Sequence, residues 1–163
     1  MNRILKKIVI AVVAILMLVG IDQWTKSLAV AKLQTSVELI KGVFEFTYVE
    51  NRGAAFGILQ NHQMMFAAFT VIVVILIFAF YLKIPQGKKY LPLNISLVVL
   101  MAGAIGNFID RTYLGYVVDF LYFKLINFPV FNVADIYVTC SAFLLVILVM
   151  FVYKEEDLKF NGK

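Results

Sequence analysis

Two aspartates near the end of the chain have the residue type and the placement for acid–base chemistry. Asp119 lies in GYVVDF, and Asp135 stands in FNVAD, directly before an apolar run long enough to cross a bilayer. An ionised carboxylate at a membrane is costly unless something compensates its charge. Because the segment between them must return to the same leaflet, we expect the two carboxylates to lie close together. Such a pair shares a proton, since the charge of one carboxylate raises the pKa of the other.

A carboxylate pair of this kind supports more than one function. Its ionised member can act as a general base toward water while its protonated member polarises a carbonyl, as in aspartic proteases. The same pair could bind a cation or relay protons in a transporter, and the spacing of Asp119 and Asp135 leaves both functions open. A transporter predicts polar or broken mid-membrane helices, whereas the second apolar run, MMFAAFTVIVVILIFAFYL, contains one threonine and nothing else polar. A non-catalytic assembly factor would not explain why polar residues collect at one side of the membrane.

The sequence contains few residues that could carry out metal-dependent or nucleophilic catalysis. His62 is the only histidine and Cys140 the only cysteine, so we predict no zinc site, no Ser-His arrangement and no disulfide within the chain. We interpret Cys140, which lies inside an apolar run, as a small buried hydrophobic residue and not as a nucleophile. We predict no metal and no other cofactor.

Membrane helices are the elements that must position the two aspartates. Hydrophobic residues make up 63% of the 163 residues and charged residues 15%, which is too apolar for a soluble domain. Four segments have the length that about 30 Å of hydrocarbon requires: about 4–24, 64–82, 90–109 and 133–153. Asp22 and Lys26 follow the first apolar run where a signal peptide should be neutral, so we expect this helix to be retained. The chain is predicted to be one integral membrane domain, residues 1–163, of the all-α class.

The distribution of charge predicts the orientation in the membrane. The two termini and the KIPQGKKY loop carry most of the basic residues, beside only Glu155, Glu156 and Asp157. The positive-inside rule therefore places both termini in the cytoplasm. The net charge of +5 is explained by this topology and gives no reason to expect a nucleic acid as a partner.

Two connections are predicted on the external side. Residues about 33–60 contain GVFEFTYVE, in which Phe44, Phe46 and Tyr48 recur with a period of two. This pattern predicts short strands with one apolar face, and we expect a small sheet on the outer leaflet between the first and second helices. Residues about 112–131 form a second, aromatic-rich external segment.

The remaining notable polar residues collect at the outward ends of the spans; they are Asp22, Lys26, Asn107, Asp110, Arg111 and Asn132. Asp22 and Lys26 are i and i+4, which we interpret as a local ion pair at the end of the first helix. Arg111 could pair with Asp110 or extend toward the headgroups. The small residues of AGAIG permit another helix to approach closely, and we interpret its glycines as packing residues.

Four ordered blocks of the sequence resemble the prolipoprotein signal peptidases, the type II signal peptidases of bacteria. DQWTK at Asp22–Lys26 is similar to the family's DQxTK, and NRGAAFG at Asn51–Gly57 is similar to its NxGAAFx block. GAIGNFIDRTYLGYVVDF at Gly103–Phe120 resembles the G-x-x-GN-x-x-DR-x-x-x-G-x-VxDF block, and FNVAD at Phe131–Asp135 is the last. Ala102 departs from the pattern, because the family often has a second glycine there, which concerns helix packing and not chemistry.

The resemblance implies an aspartyl endopeptidase that cleaves prolipoproteins immediately N-terminal to their diacylglyceryl-modified cysteine. It implies a multi-pass protein of the bacterial cytoplasmic membrane with an extracytoplasmic active site, four transmembrane helices and a small extracytoplasmic β-cradle. Its partners would be prolipoproteins and membrane lipid. By position, Asp119 and Asp135 match the catalytic dyad. Residues matched to substrate binding or orientation are Asn51, Gly53, Asn107, Arg111 and Asn132, and residues assigned a structural role are Asp22, Lys26 and Asp110.

Overall fold

The computed structural model describes residues 2–53 and 63–160. His62 and residues 54–57 of the NRGAAFG block lie outside these residues. The long helices are α1 (Arg3–Lys32), α2 (Gln63–Lys83), α3 (Leu91–Tyr113) and α4 (Val133–Ile147). Each of these helices, with the helical turns adjoining α3 and α4, is long and apolar enough to cross a membrane. The four spans agree with the prediction, but α1 continues to Lys32 instead of ending near Trp24.

The ends of the helices follow from local sequence. Asn2 accepts a hydrogen bond from the backbone N–H of Ile4 and so caps α1. A 3₁₀ turn at Lys88–Tyr90 leads into α3, which carries a proline in its first turn. A π-helical turn, Leu148–Val152, extends α4, and a short helix α5 (Glu155–Leu158) follows.

Helix α3 is the centre of the bundle. Half of its apolar window is buried, against 17% for α1 and 11% for α2 and for the α4 span, so the other helices pack around it and expose their outer faces. Large apolar side chains such as Leu16, Phe69 and Phe143 are more than 60% exposed. In a membrane helix, such side chains face lipid.

The start of α1 and the segment that follows α4 lie at one end of the bundle. Lys7 near the start of α1 donates from Nζ to the carbonyl oxygens of Tyr81 and Ile84 at the end of α2, where a cation favourably meets the negative end of the helix dipole. At the same end Tyr153, after α4, donates from its hydroxyl to the carbonyl of Lys89. The predicted cytoplasmic segments are therefore neighbours in the fold.

A three-stranded antiparallel sheet lies at the other end of the bundle, with the order β1-β2-β3. Strands β1 (Val37–Ile40) and β2 (Phe44–Asn51) come from the connection between α1 and α2, as predicted. Strand β3 (Val117–Phe123) comes from the second external segment, between α3 and α4, which carried no strand prediction. Its first four residues are all buried, so VVDF lacks the alternation of polar and apolar residues that identified β2. The turn from α3 into β3 contains Gly115 at φ +76°, a conformation that favours glycine.

Candidate active site

Asp119 and Asp135 line one cavity of about 680 Å³ at the sheet end of the bundle. Asp119 lies on β3 opposite Val49 of β2. Asp135 lies in the first turn of α4, which begins soon after the chain leaves β3. We refer to this pair as the dyad. The structure therefore brings together the two carboxylates on which the predicted chemistry depends.

Asp119 is held by two side-chain amides. Its Oδ1 accepts a hydrogen bond of 2.7 Å from Asn132 Nδ2, and its Oδ2 accepts one of 2.9 Å from Asn51 Nδ2. Asn51 ends β2, and its own Oδ1 accepts a hydrogen bond of 3.0 Å from the backbone N–H of Gly53. That contact fixes the orientation of the Asn51 amide, because its oxygen faces a donor and its nitrogen therefore faces Asp119.

Asp135 is held by the start of its own helix and by α3. Asn132 is the N-cap of α4, and its side chain accepts from the backbone N–H of Asp135 while Asp135 Oδ2 accepts from the backbone N–H of Asn132, a capping box. The other carboxylate oxygen, Oδ1, accepts a hydrogen bond of 2.7 Å from Asn107 Nδ2 on α3. Both oxygens of Asp135 therefore have N–H donors.

Asn132 connects the two carboxylates. It is fully buried, and its Nδ2 donates both to Asp119 Oδ1 and, at 3.0 Å, to Asn107 Oδ1. One amide thus contacts the Asp119 carboxylate, caps the helix that carries Asp135 and contacts the asparagine that holds Asp135. A buried network with donors and acceptors matched in this way specifies a single arrangement.

The surroundings of Asp119 change its acidity. Burial raises the pKa of Asp119 to about 7, and the nearby charge of Asp135 acts in the same direction, against the lowering effect of the Asn51 and Asn132 hydrogen bonds and of the Lys26 charge. A group with this pKa keeps its proton over much of the acidic range and up to neutrality. The site can therefore hold one proton near an ionised neighbour.

Asp22, Lys26 and Asp110 form a buried ion cluster beneath the dyad. Lys26 Nζ lies 2.9 Å from Asp22 Oδ2 and 3.0 Å from Asp110 Oδ2. The predicted local pair on α1 is therefore confirmed, and the structure adds a partner from α3. Two further contacts reach the residues directly before the dyad aspartates: Asp22 Oδ1 accepts from Ala134 N at 2.9 Å, and Asp110 Oδ2 accepts from Val118 N at 3.0 Å.

Gln23 is a polar residue of this cluster that the sequence interpretation missed. Its Nε2 donates to Asp110 Oδ1 at 2.9 Å and to the carbonyl of Gly106 at 3.2 Å. The signal was its position between Asp22 and Lys26 on a membrane helix, where an amide needs a partner.

Arg111 lines the cavity. In the part of the chain that the structure describes, Asp110 forms its ion pair with Lys26 and not with Arg111. The Arg111 guanidinium lies over the ring of Phe66 on α2, 5.5 Å from the ring centroid, and one terminal nitrogen donates to the carbonyl of Asn107. Both contacts hold the cation beside the cavity.

Cys140 is exposed and lines the cavity, so its interpretation as a buried residue is wrong. It lies on the same stripe of α4 as Ile136 and Thr139, which also line the cavity. The apolar run around Cys140 indicated burial, but in a membrane helix an apolar sequence covers outward faces as well as the core. The cavity therefore extends from the dyad along α4.

This position makes Cys140 a reporter of the cavity. We expect N-ethylmaleimide to label the protein at Cys140 and to lower its activity, because the adduct occupies the cavity wall. The matched control is Cys140→Ser combined with Ser141→Cys, since Ser141 on the next position is only 3% exposed. Mass spectrometry should find this variant unlabelled under the same conditions. Equal labelling of both thiols would contradict the placement of Cys140.

A metal site is not formed by the part of the chain that the structure describes, in which no three His, Cys, Asp or Glu side chains come together to hold an ion. Both carboxylates of the dyad instead accept hydrogen bonds from amide or backbone N–H groups. The arrangement suits proton transfer by the carboxylates themselves.

Comparisons with known proteins find relatives in sequence and in fold. A family profile described as signal peptidase (SPase) II matches residues 13–151. A lipoprotein signal peptidase of Streptococcus thermophilus is 45% identical over 147 residues, covering 89% of this chain and 93% of the relative. One from Caldanaerobacter subterraneus subsp. tengcongensis is 46% identical over 144 residues, covering 86% and 96%. A solved structure described as a bacterial membrane enzyme superposes with a TM-score of 0.76 at 31% identity, covering 94% of this chain and 92% of that chain.

Proposed function

This chain belongs to the signal peptidase II family, and on that basis we propose that it is a membrane aspartic endopeptidase that removes the signal peptide from prolipoproteins. The family profile and the named relatives support the reaction. They give no support to a proton or cation transporter. The observation that carries the assignment of the site is the pair of carboxylates, each held by two N–H donors at one cavity.

The dyad supplies a general base and a general acid. The ionised carboxylate removes a proton from water as the water oxygen bonds to the scissile carbonyl carbon, and the protonated carboxylate gives its proton to the carbonyl oxygen. The resulting tetrahedral diol collapses when the C–N bond breaks. The first carboxylate then gives its proton to the leaving nitrogen, and the second regains one from a hydroxyl group, so the dyad returns to its starting state.

The lining of the cavity is evidence in favour of a substrate that is partly lipid. Its wall along α4 contains Ile136, Thr139 and Cys140, and Phe128 lies on the loop after β3. The dyad lies at the end of a membrane bundle, where the cleavage site of a membrane-inserted signal peptide emerges. We therefore propose cleavage immediately before a diacylglyceryl-modified cysteine, with membrane lipid as the second partner.

Five further residues are proposed to bind or orient the substrate or the dyad: Asn51, Gly53, Asn107, Arg111 and Asn132. The three asparagines contact the carboxylates directly, which supports an orienting role. Gly53 supports the Asn51 amide through its N–H. Arg111 is the cation beside the cavity, suited to a carbonyl or ester oxygen of the substrate.

The proposed location is the bacterial cytoplasmic membrane, with both termini in the cytoplasm and the dyad on the extracytoplasmic side. The basic residues at the termini and in the α2–α3 connection support this orientation. The dyad lies at the opposite end of the bundle from those segments, so prolipoproteins would meet it after export.

The test is cleavage of a purified prolipoprotein by this protein in lipid, with the substrate cysteine diacylglyceryl-modified in one sample and unmodified in the other. We expect the modified substrate to be cut immediately before the cysteine and the unmodified one to be cut much more slowly. Mass spectrometry of the products locates the cleaved bond. If well-folded protein cut neither substrate, the proposed function would be wrong.

A further inference from the structure

Lys26, a member of the ion cluster, also contacts a residue that holds the dyad. Besides its two carboxylate partners, its Nζ donates to Asn107 Oδ1 at 2.9 Å, and Lys26 is only 3% exposed. Asn107 Nδ2 in turn donates to Asp135 Oδ1 at 2.7 Å. A lysine ammonium can only donate hydrogen bonds, so the oxygen of the Asn107 amide must face Lys26. The nitrogen of the same amide therefore faces Asp135.

The two carboxylates of the dyad therefore differ in their hydrogen-bond donors and in their exposure. Asp135 accepts from an amide whose oxygen receives hydrogen bonds from Lys26 and Asn132, which polarises that amide and makes its N–H a stronger donor. Asp135 also accepts from a backbone N–H at the N-terminus of α4, where negative charge is favoured. Among the residues that the structure describes, the donors to Asp119 are both side-chain amides, and Asp119 is 2% exposed, whereas Asp135 is partly exposed.

We propose that Lys26, acting through Asn107, keeps Asp135 as the ionised member of the dyad and leaves the shared proton on Asp119. This inference rests on the proposed function and assigns the two roles within it. Asp135 becomes the base that takes a proton from water, and Asp119 becomes the acid that gives one to the scissile carbonyl oxygen. Lys26 is then a positioning residue with an electrostatic effect, beyond the structural role that its place in the sequence suggested.

Other charged groups lie near the dyad, but among the described charged residues it is Lys26 that donates to the Asn107 side chain, whereas Arg111 donates to the backbone carbonyl of Asn107. These groups are Asp22, Lys26 and Asp110 in the ion cluster, and Glu50, Arg52 and Arg111 in the cavity wall. Glu50 and Arg52 pair with each other at 2.7 Å. The ammonium also favours ionisation of Asp119, but burial and the Asp135 charge outweigh it, and the pKa of Asp119 is about 7.

The test is the pH dependence of kcat/KM for the full-length protein in lipid, with a substrate that does not titrate between pH 4 and 9. For the wild type we expect an acidic limb, from ionisation of the base, and an alkaline limb near pH 7, from loss of the Asp119 proton. Lys26→Gln should move the acidic limb to higher pH by roughly one unit, because Asp135 loses a nearby positive charge. Lys26→Arg should return the limb toward its wild-type position.

Two further variants separate electrostatics from packing. Asp22→Asn disturbs the same cluster but leaves the ammonium on Asn107, so its acidic limb should stay in place or move to lower pH. Lys26→Gln combined with Asp110→Asn keeps the net charge of the cluster unchanged and leaves one carboxylate without a cation, Asp22, where the single variant leaves two. If the single variant does not fold, the double variant is used instead, and its acidic limb should also move to higher pH, but by less, because the Asp110 charge that opposed Lys26 is removed with it.

The inference is wrong if the wild type is active and the acidic limb does not move in folded Lys26→Gln or in the double variant. Lys26 would then be a packing residue. The same shift in Asp22→Asn as in Lys26→Gln would overturn the inference as well. A wild type that cleaves no prolipoprotein instead refutes the proposed function. The two failures are therefore distinguishable.

Discussion

Asp119→Asn and Asp135→Asn should each lower cleavage of a lipid-modified prolipoprotein by roughly 10³-fold or more, because each change removes one partner of a two-carboxylate proton transfer. Asparagine has nearly the same shape as aspartate and keeps one of the two oxygens that accept hydrogen bonds, and the loss of the other lowers stability without altering the apolar helices that insert. The protein should therefore still insert and fold. The measurement is kcat/KM in lipid, with thermal unfolding followed in parallel.

Glu155→Gln is the matched control, since it also replaces a carboxylate by an amide. The Glu155 side chain is 83% exposed and lies at the opposite end of the bundle from the dyad. We expect this variant to cleave at the wild-type rate. Turnover within a few-fold of wild type by either dyad variant would show that the pair does not perform the chemistry.

Gly103→Ala should produce the second large effect, through the packing of α3 against α4. A Cβ atom at Gly103 would lie 2.5 Å from the carbonyl oxygen of Ala134, a backbone atom in the first turn of α4, and 2.9 Å from the side chain of Val138. Because backbone cannot rotate away, α4 must shift, and Asp135 in the same turn shifts with it. We expect roughly 10²-fold slower cleavage, the usual result of misplacing a reacting group by about 1 Å, and a loss of ~1–3 kcal/mol in unfolding free energy.

Gly20→Ala provides the control for adding a methyl group to a membrane helix. Gly20 lies within α1, and an added Cβ would meet no heavy atom within 4 Å. This variant should keep its activity and its thermal stability in lipid. If Gly103→Ala behaved like Gly20→Ala in both measurements, the close contact between α3 and α4 would not control the position of Asp135.

The contact at Gly103 also shows how far the sequence interpretation reached. The small residues of AGAIG indicated a close helix approach, and the structure confirms it by placing α4 there. The sequence could not name the partner helix, because small residues permit close approach on any side. The chain length and hydropathy that predicted four spans carry no information on which helix is central, and α3 takes that place.

The boundary of α1 and the third strand show a similar limit. Hydropathy predicts how much of a helix lies in lipid, not how far it continues beyond, so the continuation of α1 to Lys32 was missed. Strand β3 has no alternating pattern because its first four residues are buried on both faces. Only the pairing with β2 reveals it, and that pairing places Asp119 opposite Val49.

The sequence by itself determined the class of the protein, its four spans and the residues able to do chemistry, since composition, hydropathy and residue type are local properties. It also indicated that the polar residues would meet at one membrane depth. Only the tertiary structure decided which atoms contact each other: that Lys26 reaches Asp110 and Asn107 as well as Asp22, and that Asn132 joins the two carboxylates. The physical reason is that the contacts of Lys26 with Asp110 and Asn107, and of Asn132 with Asp119, join separate elements, and their geometry exists only after helices and strands have packed.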